Sequence, residues 1–451
     1  MNKTIKPHYE NLVIGFGKGG KSLAAYLANH GQEVALVERS ADMYGGSCIN
    51  IACIPTKSLI VSAEHHTPYA QAHRDKNELT ALLRKQNLES LAALPHATVI
   101  TGDARFTGPK QVRVTVDGTE HTVTATRIFI NTGCRPNIPP IEGVRSSKHV
   151  FTSTSLMERP ELVERLIVIG AGFIGLEFAN MFAKFGAEVV VLNHGAEFLP
   201  REDADVAEEI HKVLSGRKIR IINGVTPQGI IDLDDHRVSV KCVNADGTPE
   251  AMEASAVLVA TGRVPVTSEL NLEATGVKTD QRGYIAVDEQ LRTSHPEIWA
   301  IGDVNGGPQF TYISFDDYKI IRDQLFGGGY TSVSARKPFP TSVFITPQLA
   351  HIGLREKEAI AQGHQVKVAR LSPKSIPQAR ILGNTDGLLK AVVDAGTNRI
   401  LGCTLFCVGA NEMINTIQMA MNAGMPYQEV RDAIYTHPSM NEAYNSLFAL
   451  I

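Results

Sequence analysis

The sequence predicts an α/β protein, because two segments share one pattern of strand, glycine-rich turn, helix and strand. The first segment begins at Asn11 and the second at Arg165, and each runs from apolar residues into G-x-G-x-x-G. A third observation is a C-terminal stretch that mixes strands and helices after the proline-rich residues 337–340. We therefore expect two similar α/β domains and a separate α+β domain at the C-terminus.

The glycine spacing predicts that both α/β domains are Rossmann-like and bind dinucleotides. A tight turn, a close approach to a pyrophosphate and a tight helix–strand contact each require a missing side chain. The N–H groups at the start of the following helix then bind the phosphates. One such motif is weak evidence, but here it occurs twice, 155 residues apart, in the same context. The glycines are Gly15, Gly17 and Gly20 in the first segment, and Gly170, Gly172 and Gly175 in the second.

The residue that ends the second strand of each segment distinguishes the nucleotides. In both segments it lies 23 positions after the first glycine. Glu38 in the first segment is a carboxylate suited to ribose hydroxyls. Asn193 in the second can hydrogen-bond a ribose and does not repel a 2′-phosphate, and the next residue is His194 rather than an arginine. NADH and NADPH both stay open at this site, with NADH preferred.

Three further apolar runs predict strands that end at ligand-binding turns. The runs 127–133 and 256–262 each end in Thr-Gly, at Thr132-Gly133 and Thr261-Gly262. The run 298–304 ends in Gly302-Asp303-Val304. An Asp at the carboxyl end of a strand lies where open α/β sheets bind ligands, and it can accept a hydrogen bond from a ribitol hydroxyl. The alternative for Asp303 is a helix N-cap.

Composition limits the classes of function. The chain has 451 residues, enough for about three domains. Apolar residues make up 43% and charged residues 20% of the chain, a composition that excludes wholesale disorder. A net charge of −3 gives no electrostatic reason to expect a nucleic-acid or membrane partner. The sequence has no apolar run of 18 residues, and its N-terminal apolar run is too short for a signal peptide. We expect a cytoplasmic protein.

The cysteine pair is the most informative stretch of the sequence. It reads Gly45-Gly-Ser-Cys-Ile-Asn-Ile-Ala-Cys-Ile-Pro-Thr-Lys57, with four residues between Cys48 and Cys53. This spacing allows a disulfide, and a lysine such as Lys57 near a thiol at a helix start favours its thiolate. The alternatives are that the two cysteines bind zinc or that they are inert buried thiols. A zinc ion would need two further ligands, and the sequence offers no matching pair, so no metal site is expected. For Cys134, Cys242, Cys403 and Cys407, burial is the favoured interpretation, and their redox activity stays open.

These motifs, taken in order, resemble the flavoprotein disulfide reductases, the family of glutathione reductase, dihydrolipoamide dehydrogenase and mercuric reductase. The likeness extends over the whole chain and includes the ending His437-Pro-Ser-Met-Asn-Glu442. Within the family, residues 43–53, 310–318 and 436–442 resemble the reactive-chlorine-resistance (RclA-type) branch. That branch includes enzymes that reduce hypothiocyanous acid and copper(II).

The resemblance implies a domain order, cofactors and an oligomeric state. It implies an FAD-binding domain at 1–148, an NAD(P)-binding domain at 149–268, the resumed FAD-binding domain at 269–337 and a dimerisation domain at 338–451. Strands are predicted in the last at Ala391–Asp394 and Leu401–Val408, with helices at Glu412–Ala423 and Tyr427–Ala433. FAD and NADH or NADPH are the implied cofactors. The implied assembly is a homodimer with an active site shared between subunits.

The resemblance also implies individual roles. Cys53 is the thiolate that faces the flavin, Cys48 is the thiol that meets substrate, and Lys57 near the flavin pairs with Glu177. Phe173 shields the flavin on the nicotinamide side. The implied FAD residues are Gly15, Gly17, Gly20, Glu38, Lys57, Thr132, Gly133, Gly302 and Asp303. The implied NAD(P) residues are Gly170, Gly172, Phe173, Ile174, Gly175, Glu177, Asn193 and Gly262.

His437 and Glu442 match the family's acid–base dyad, in which the carboxylate orients an imidazole that exchanges protons. A capping box formed by Ser439 and Glu442 is the local alternative. Mercury-reducing members tend to replace this His and to add terminal cysteines, which this sequence lacks. The preferred substrate is therefore a small oxidant, hypothiocyanous acid or copper(II). Dihydrolipoamide dehydrogenase or another low-molecular-weight disulfide reductase is the alternative, followed by a copper-handling protein and a flavin-binding protein without turnover.

Overall fold

The computed structural model describes residues 4–451, and the elements below are those of that range. The strands are β1 (His8–Ile14), β2 (Val34–Glu38), β3 (Ala97–Thr101), β4 (Asp103–Gly108), β5 (Gln111–Val116), β6 (Thr119–Ile130), β7 (Cys134–Pro136), β8 (Val150–Phe151), β9 (Arg165–Ile169), β10 (Glu188–Asn193), β11 (Ile219–Asn223), β12 (Thr226–Asp232), β13 (Val238–Val243), β14 (Pro249–Ala254), β15 (Ala256–Val259), β16 (Arg263–Pro265), β17 (Ile298–Ala300), β18 (Thr341–Val343), β19 (Gln348–Gly353), β20 (Val366–Leu371), β21 (Leu388–Asp394) and β22 (Ile400–Cys407).

The helices lie between groups of these strands and after the last strand. They are α1 (Lys18–Asn29), α2 (Gly46–Asn50), α3 (Cys53–Glu64), α4 (Tyr69–Ala92), α5 (Ser153–Met157), α6 (Phe173–Phe185), α7 (Ala204–Ser215), α8 (Thr311–Phe326), α9 (Glu356–Ala361), α10 (Pro377–Ile381), α11 (Ala410–Asn422), α12 (Tyr427–Arg431) and α13 (Ala443–Phe448).

The first compact unit comprises residues up to Val61, Ala70–Asn137 and Gly262–Arg336. Its main sheet has the order β3-β2-β1-β6-β5-β4, and β17 also pairs with β6. Strands β1, β2, β3, β6 and β17 pair with one another in parallel, whereas β5 pairs antiparallel with both β6 and β4. The chain leaves β1 toward β2 on one side and later returns as β6 on the other. Ligands bind at such a switch point in open α/β sheets.

Alternation along β1 explains why this sheet is buried on both faces. Leu12 and Ile14 belong to one apolar core, whereas Val13 belongs to the core on the opposite face together with Leu23 of α1. Successive side chains of a strand point to opposite faces, so a continuous apolar run supplies both cores.

The second compact unit comprises Ser62–Tyr69, Ile138–Thr261 and Lys337–Ile451. One of its sheets has the order β11-β10-β9-β15-β8 and is parallel throughout. Its central strand β9 leads into the second glycine motif, as β1 leads into the first. The antiparallel sheet β12-β13-β14 follows β11 in the chain. The repeated strand–turn–helix–strand pattern predicted from the sequence is therefore present in both units.

The C-terminal part of the second unit is an antiparallel sheet covered by helices. The strand order is β18-β19-β22-β21-β20, and residues of α11 and α13, such as Ile414 and Phe448, form its core with Leu405. The predicted strands and helices of this part correspond to β21, β22, α11 and α12. Strands β18 to β20 and helices α9, α10 and α13 were not anticipated. The fold class, α/β with an additional α+β part, is confirmed.

A buried group of charged residues connects α7 with the C-terminal sheet inside the second unit. The Lys390 ammonium lies 2.9 Å from Asp203, 2.8 Å from Asp205 and 2.7 Å from Glu356, and its side chain is 2% exposed. The Arg370 guanidinium also contacts Asp205 and Glu356. A buried cation with three carboxylate partners replaces the hydrogen bonds that it loses to water.

One helical stretch among residues 4–451, Gly46–Glu64, meets the length and hydropathy criteria for a membrane span, with a mean hydropathy of 1.2. Core helices of soluble proteins meet the same criteria. The stretch is interrupted between Asn50 and Cys53, where α2 ends and α3 begins.

Candidate active site

The cysteine pair lies on two short consecutive helices of the first unit. Cys48 is in the middle of α2 and Cys53 is the first residue of α3. Within the described part of the chain, which contains all six cysteines, no disulfide is formed. The side chains of Cys48 and Cys53 are hydrogen-bonded to each other. The spacing therefore brings the two thiols together.

Thr311, the first residue of α8, completes this cluster. Its hydroxyl oxygen lies 3.6 Å from the Cys53 sulfur, in hydrogen-bond contact, and it also contacts Cys48. Three effects raise the pKa of Cys48. The largest is the hydrogen bond with Cys53, followed by burial and by the charge of Cys53. Thr311 and the cation of Lys21 act in the opposite direction. A thiolate on Cys53 therefore disfavours ionisation of Cys48.

Two aromatic residues flank Thr311. The rings of Phe310 and Tyr312 are stacked, with centroids 5.0 Å apart and an angle of 10° between their planes. The Tyr312 side chain is 44% exposed overall, yet burial around its hydroxyl and the nearby Cys53 raise its pKa. Its phenol is therefore protonated at neutral pH and can serve as a hydrogen-bond donor.

The first glycine motif and Glu38 form a turn at the carboxyl end of β1. Gly15 has φ +103°, and a Cβ at this position would lie 2.4 Å from the Asn131 carbonyl oxygen, so only glycine fits. A Glu38 carboxylate oxygen accepts a hydrogen bond of 2.9 Å from the Phe16 N–H. Burial raises the pKa of Glu38. The carboxylate is thus held in the loop where the sequence predicted a ribose contact.

The Gly302-Asp303 turn is anchored by a buried carboxylate that sequence analysis missed. An Asp317 oxygen accepts a hydrogen bond of 2.8 Å from the Gly302 N–H, and its other oxygen lies 2.6 Å from the Arg336 guanidinium. Burial raises the pKa of Asp303, so this carboxyl needs a polar partner. Nearby, the Thr132 hydroxyl donates to the Val266 carbonyl at 2.7 Å.

The residues of the first unit fit a bound FAD. Glu38 and Asp303 are carboxyl groups held by burial and backbone contacts at the carboxyl ends of β2 and β17. Gly133 has φ +67°, and a Cβ there would meet no atom within 4 Å, which leaves open space beside the turn after β6. Acceptors for ribose and ribitol hydroxyls and room for a ligand therefore occur in the same unit as the two thiols.

The second glycine motif has a similar geometry at the carboxyl end of β9. Gly170 has φ +111° and lies against the Ala260 carbonyl, whereas a Cβ on Gly172 would enter open space. Gly172 precedes α6, whose N-terminal N–H groups suit a pyrophosphate. Phe173, the first residue of α6, is 39% exposed. These features suit a dinucleotide, and the assignment of the nicotinamide dinucleotide to this motif stays a prediction.

Asn193 and Glu177 already have partners in the second unit. The Asn193 amide nitrogen donates to the carbonyls of Gly195 and Glu197 and to Asn223 Oδ1. Its carbonyl oxygen is the atom suited to accept from a ribose hydroxyl. Glu177 is buried and accepts a hydrogen bond of 2.9 Å from the Phe344 N–H. Its pairing with Lys57, a residue of the first unit, stays a prediction.

His437 and Glu442 lie together in the second unit, with Nδ1 of His437 2.7 Å from Oε2 of Glu442. The His437 side chain is 71% exposed and that of Glu442 is 18% exposed. The Ser439 hydroxyl is buried without a hydrogen-bond partner among residues 4–451. Helix α13 begins after Glu442 and has no side-chain cap there. The contact expected for a dyad is therefore present, whereas the alternative capping box does not form.

The remaining cysteines are buried. Burial raises the pKa of Cys134 to about 12, that of Cys242 to about 11 and that of Cys407 to about 12, and it raises the pKa of Cys403 as well. Buried, protonated thiols react slowly. No group of three or more His, Cys, Asp or Glu side chains suited to a metal ion occurs in the described range.

Comparison with known families defines the class of enzyme. The model of the pyridine nucleotide-disulphide oxidoreductases matches residues 9–317, and the model of their dimerisation domain matches residues 339–448. The chain belongs to the pyridine nucleotide-disulphide oxidoreductases, and it carries the dimerisation domain of that family. It is therefore a flavoprotein oxidoreductase with FAD and a pyridine nucleotide as cofactors, as the sequence predicted.

Individual relatives give a narrower likeness. The chain is 44% identical, over 100% of both chains, to the probable pyridine nucleotide-disulfide oxidoreductase RclA of Escherichia coli (strain K12). It is 33% identical to a dihydrolipoyl dehydrogenase of Zymomonas mobilis, over 97% of this chain and 96% of that protein. A solved Cu(II) complex of the HOCl-induced flavoprotein disulfide reductase RclA from Escherichia coli matches with a TM-score of 0.95 and 44% identity, over 99% of this chain and 100% of that one. The resemblance to the reactive-chlorine-resistance branch is thereby confirmed.

Proposed function

We propose that this enzyme uses NADH or NADPH to reduce a small electrophilic oxidant, hypothiocyanous acid foremost, in defence against oxidative stress. The observation that carries the proposal is the hydrogen-bonded pair Cys48–Cys53 with Thr311 beside it. One thiol can attack an electrophilic sulfur while the other is already in place to displace it.

The cofactors are assigned to the two glycine motifs and the residues predicted to accompany them. FAD is held by the loop of Gly15, Gly17 and Gly20, with Glu38, Thr132, Gly133, Gly302 and Asp303, and with Lys57 near the reactive ring. The nicotinamide dinucleotide is held by Gly170, Gly172, Phe173, Ile174, Gly175, Glu177, Asn193 and Gly262. When bound, FAD supplies the two-electron carrier between the reduced nicotinamide and the disulfide.

The thiol chemistry balances with two cysteines. The Cys48 thiolate attacks the sulfur of hypothiocyanous acid, forming an S–S bond to the thiocyanate group and displacing hydroxide. The Cys53 thiolate then attacks the Cys48 sulfur, which forms the Cys48–Cys53 disulfide and releases thiocyanate. The oxidant gains two electrons, the cysteine pair loses two, and the displaced hydroxide takes a proton to become water.

His437 supplies that proton from its imidazole, which Glu442 orients through Nδ1. Because Nδ1 faces Glu442, the other side of the ring points away from Glu442. An acid–base group that meets substrate needs such an accessible side. In the proposed homodimer, His437 serves the cysteines of the partner subunit, so that both subunits form each active site. The four predicted domain segments, at 1–148, 149–268, 269–337 and 338–451, and a cytoplasmic location belong to the same proposal.

Copper(II) is a second proposed substrate, because the RclA structure to which this chain is similar is described as a Cu(II) complex. Copper(II) accepts one electron at a time, so two ions are reduced for each pair of thiols oxidised. Dihydrolipoamide dehydrogenase stays the alternative function, supported by the likeness to dihydrolipoyl dehydrogenases.

The experiment is a steady-state assay of NADH and NADPH oxidation with hypothiocyanous acid, copper(II), lipoamide and glutathione disulfide, using the wild-type enzyme and Cys48→Ser. Hypothiocyanous acid should give the highest kcat/KM, and Cys48→Ser should abolish its turnover while bound FAD is retained. Cys242→Ser is the matched control and should keep full turnover. Faster turnover of lipoamide would favour the alternative, and unchanged turnover in Cys48→Ser would exclude the thiol mechanism.

A further inference from the structure

Lys21 lies in the first turn of α1, directly after the first glycine motif. Its backbone N–H donates to the Gly17 carbonyl at 2.9 Å. Its side-chain amine donates a hydrogen bond to Oδ1 of Asn87 on α4. The amine is therefore held by a neutral partner, and its charge is not neutralised by that contact.

The cysteine-bearing helix α2 packs against the same turn. Gly46, the first residue of α2, has φ +76°, and a Cβ there would lie 2.7 Å from Cα of Gly17. A Cβ on Gly45 would come within 3.3 Å of the Asn87 side chain. The Asn87 side chain therefore accepts from the Lys21 amine and lies beside Gly45, three residues before Cys48. The close approach of Gly46 to Gly17 thus places the start of α2, which carries Cys48, against the start of α1, which carries Lys21.

Few charged groups influence this pair of residues. The charges that affect the pKa of Cys48 are those of Cys53 and Lys21. The charges that affect the pKa of Lys21 are those of Lys18 and Cys48. Burial, and then repulsion from Lys18, lower the pKa of Lys21 to about 8, whereas Cys48 acts to raise it. A cation inside a partly buried site interacts more strongly with a neighbouring thiolate than an exposed one does.

We propose that Lys21 is a positioning residue that stabilises the Cys48 thiolate through its charge and so makes Cys48 reactive toward the oxidant. The inference rests on the proposed function, in which Cys48 attacks substrate. Burial of Cys48 disfavours its thiolate, and the Lys21 ammonium, which forms no ion pair with a carboxylate among residues 4–451, offsets that effect. It acts through Cys48 and does not itself exchange a proton with substrate.

The test measures the pH dependence of Cys48 alkylation by iodoacetamide in the FAD-bound full-length enzyme. All variants are made in a Cys53→Ser background, because Cys53 affects the pKa of Cys48 more than any other residue does. The alkylated Cys48 peptide is quantified by mass spectrometry. Lys21→Gln removes the charge and retains a polar side chain for Asn87, while Lys21→Arg retains the charge. Lys85→Met is the matched control, since Lys85 is exposed on the same helix as Asn87.

In Lys21→Gln the midpoint of alkylation should rise by about one pH unit, which slows alkylation about tenfold at pH 7. The rate at high pH, where Cys48 is fully ionised, should not change. Lys21→Arg and Lys85→Met should keep the midpoint of the background variant. An unchanged midpoint in Lys21→Gln would overturn the proposal, as would loss of FAD from Lys21→Gln but not from Lys21→Arg, because Lys21 would then belong to the cofactor site.

Alkylation requires no oxidant, so the result separates this proposal from the proposed substrate. A shifted midpoint together with no turnover of hypothiocyanous acid would retain the role of Lys21 and reject the substrate. Normal turnover in Cys53-containing Lys21→Gln, together with an unshifted midpoint, would retain the substrate and reject the role of Lys21.

Discussion

The hydroxyl of Thr311 lies 3.6 Å from the sulfur of Cys53, although 258 residues separate them in the sequence. The contact joins the start of α8 to the start of α3. A hydroxyl hydrogen bond to a thiolate stabilises the ionised form. The Thr311 hydroxyl is therefore placed to stabilise a thiolate of the cysteine pair.

Thr311→Val should raise the pKa of Cys53 by about one unit, since a hydrogen bond to a charged group contributes about 1.5–3 kcal/mol at good geometry. The measurement is the pH dependence of long-wavelength absorbance after anaerobic NADH reduction, which reports a thiolate next to the flavin. Thr311→Ser, which keeps the hydroxyl, is the control and should retain the wild-type profile. The same profile in Thr311→Val would show that the hydroxyl has no influence on Cys53.

The His437–Glu442 contact gives a second prediction. His437→Gln should lower kcat for hypothiocyanous acid by about 10²–10⁴, the usual contribution of a positioned acid or base. Glu442→Gln keeps a hydrogen-bond acceptor at Nδ1 and should lower kcat less. Steady-state kinetics measure kcat for each variant. FAD content and molecular mass are the controls for folding and assembly. An unaffected kcat in His437→Gln would remove this residue from the proton transfer.

Lys390 should be essential for the stability of the second unit. Removing one member of a buried ion cluster leaves uncompensated charges and costs about 3–5 kcal/mol. Lys390→Met should therefore lower the melting temperature at pH 7 by several degrees. Lys374→Met, which removes a lysine outside this cluster, should change it little. A melting temperature of Lys390→Met within one degree of the wild type would contradict the assigned role.

The same cluster predicts a direction of pH dependence. Burial would raise the pKa values of Asp203 and Asp205, but hydrogen bonds from Lys390 and other donors outweigh it, so both pKa values are lowered. The stability from these groups is present above their unfolded value of about 3.9 and is lost as pH falls through their folded values. Without Lys390 the two pKa values rise, so acid unfolding of Lys390→Met should begin at a higher pH. Circular dichroism between pH 3 and pH 7 measures this shift.

Nucleotide preference gives a further prediction. The wild-type enzyme should prefer NADH, because Asn193 and His194 offer no permanent cation to a 2′-phosphate. His194→Arg places a guanidinium beside Asn193 and should raise kcat/KM for NADPH relative to NADH by about tenfold, which corresponds to about 1.4 kcal/mol. His236→Arg adds the same charge to an exposed turn of the second unit and should leave the ratio unchanged. If His194→Arg and His236→Arg had the same ratio of kcat/KM for NADPH to that for NADH, the nucleotide ribose would not lie beside Asn193.

Local patterns predicted the parts of the site that lie within one short stretch. The glycine turns, Glu38 and the Cys48–Cys53 pair each follow from spacing along the chain. Thr311 and Asp317 were missed as partners of Cys53 and Gly302 because such contacts depend on how distant segments pack. Lys21 stood next to a recognised glycine, yet its approach to Cys48 depends on the packing of α2 against α1.

The C-terminal part shows the same limit. Strands β21 and β22 and helix α11 have long apolar patterns and were predicted, whereas β18, with three residues, carries too little pattern to detect. The choice between dyad and capping box for Glu442 could not be made from the spacing alone, since both need the same residue types. The structure adds the side-chain contact with His437, and the acid–base role of the two residues stays a prediction.

The most direct test of the account is a single turnover without nicotinamide. The enzyme is reduced anaerobically, excess reductant is removed, and less than one equivalent of hypothiocyanous acid is added. Thiocyanate and the remaining thiols at Cys48 and Cys53 are then quantified. The account predicts one thiocyanate for each pair of thiols lost, with a Cys48–Cys53 disulfide as the product. Thiocyanate formation with both thiols retained would contradict it.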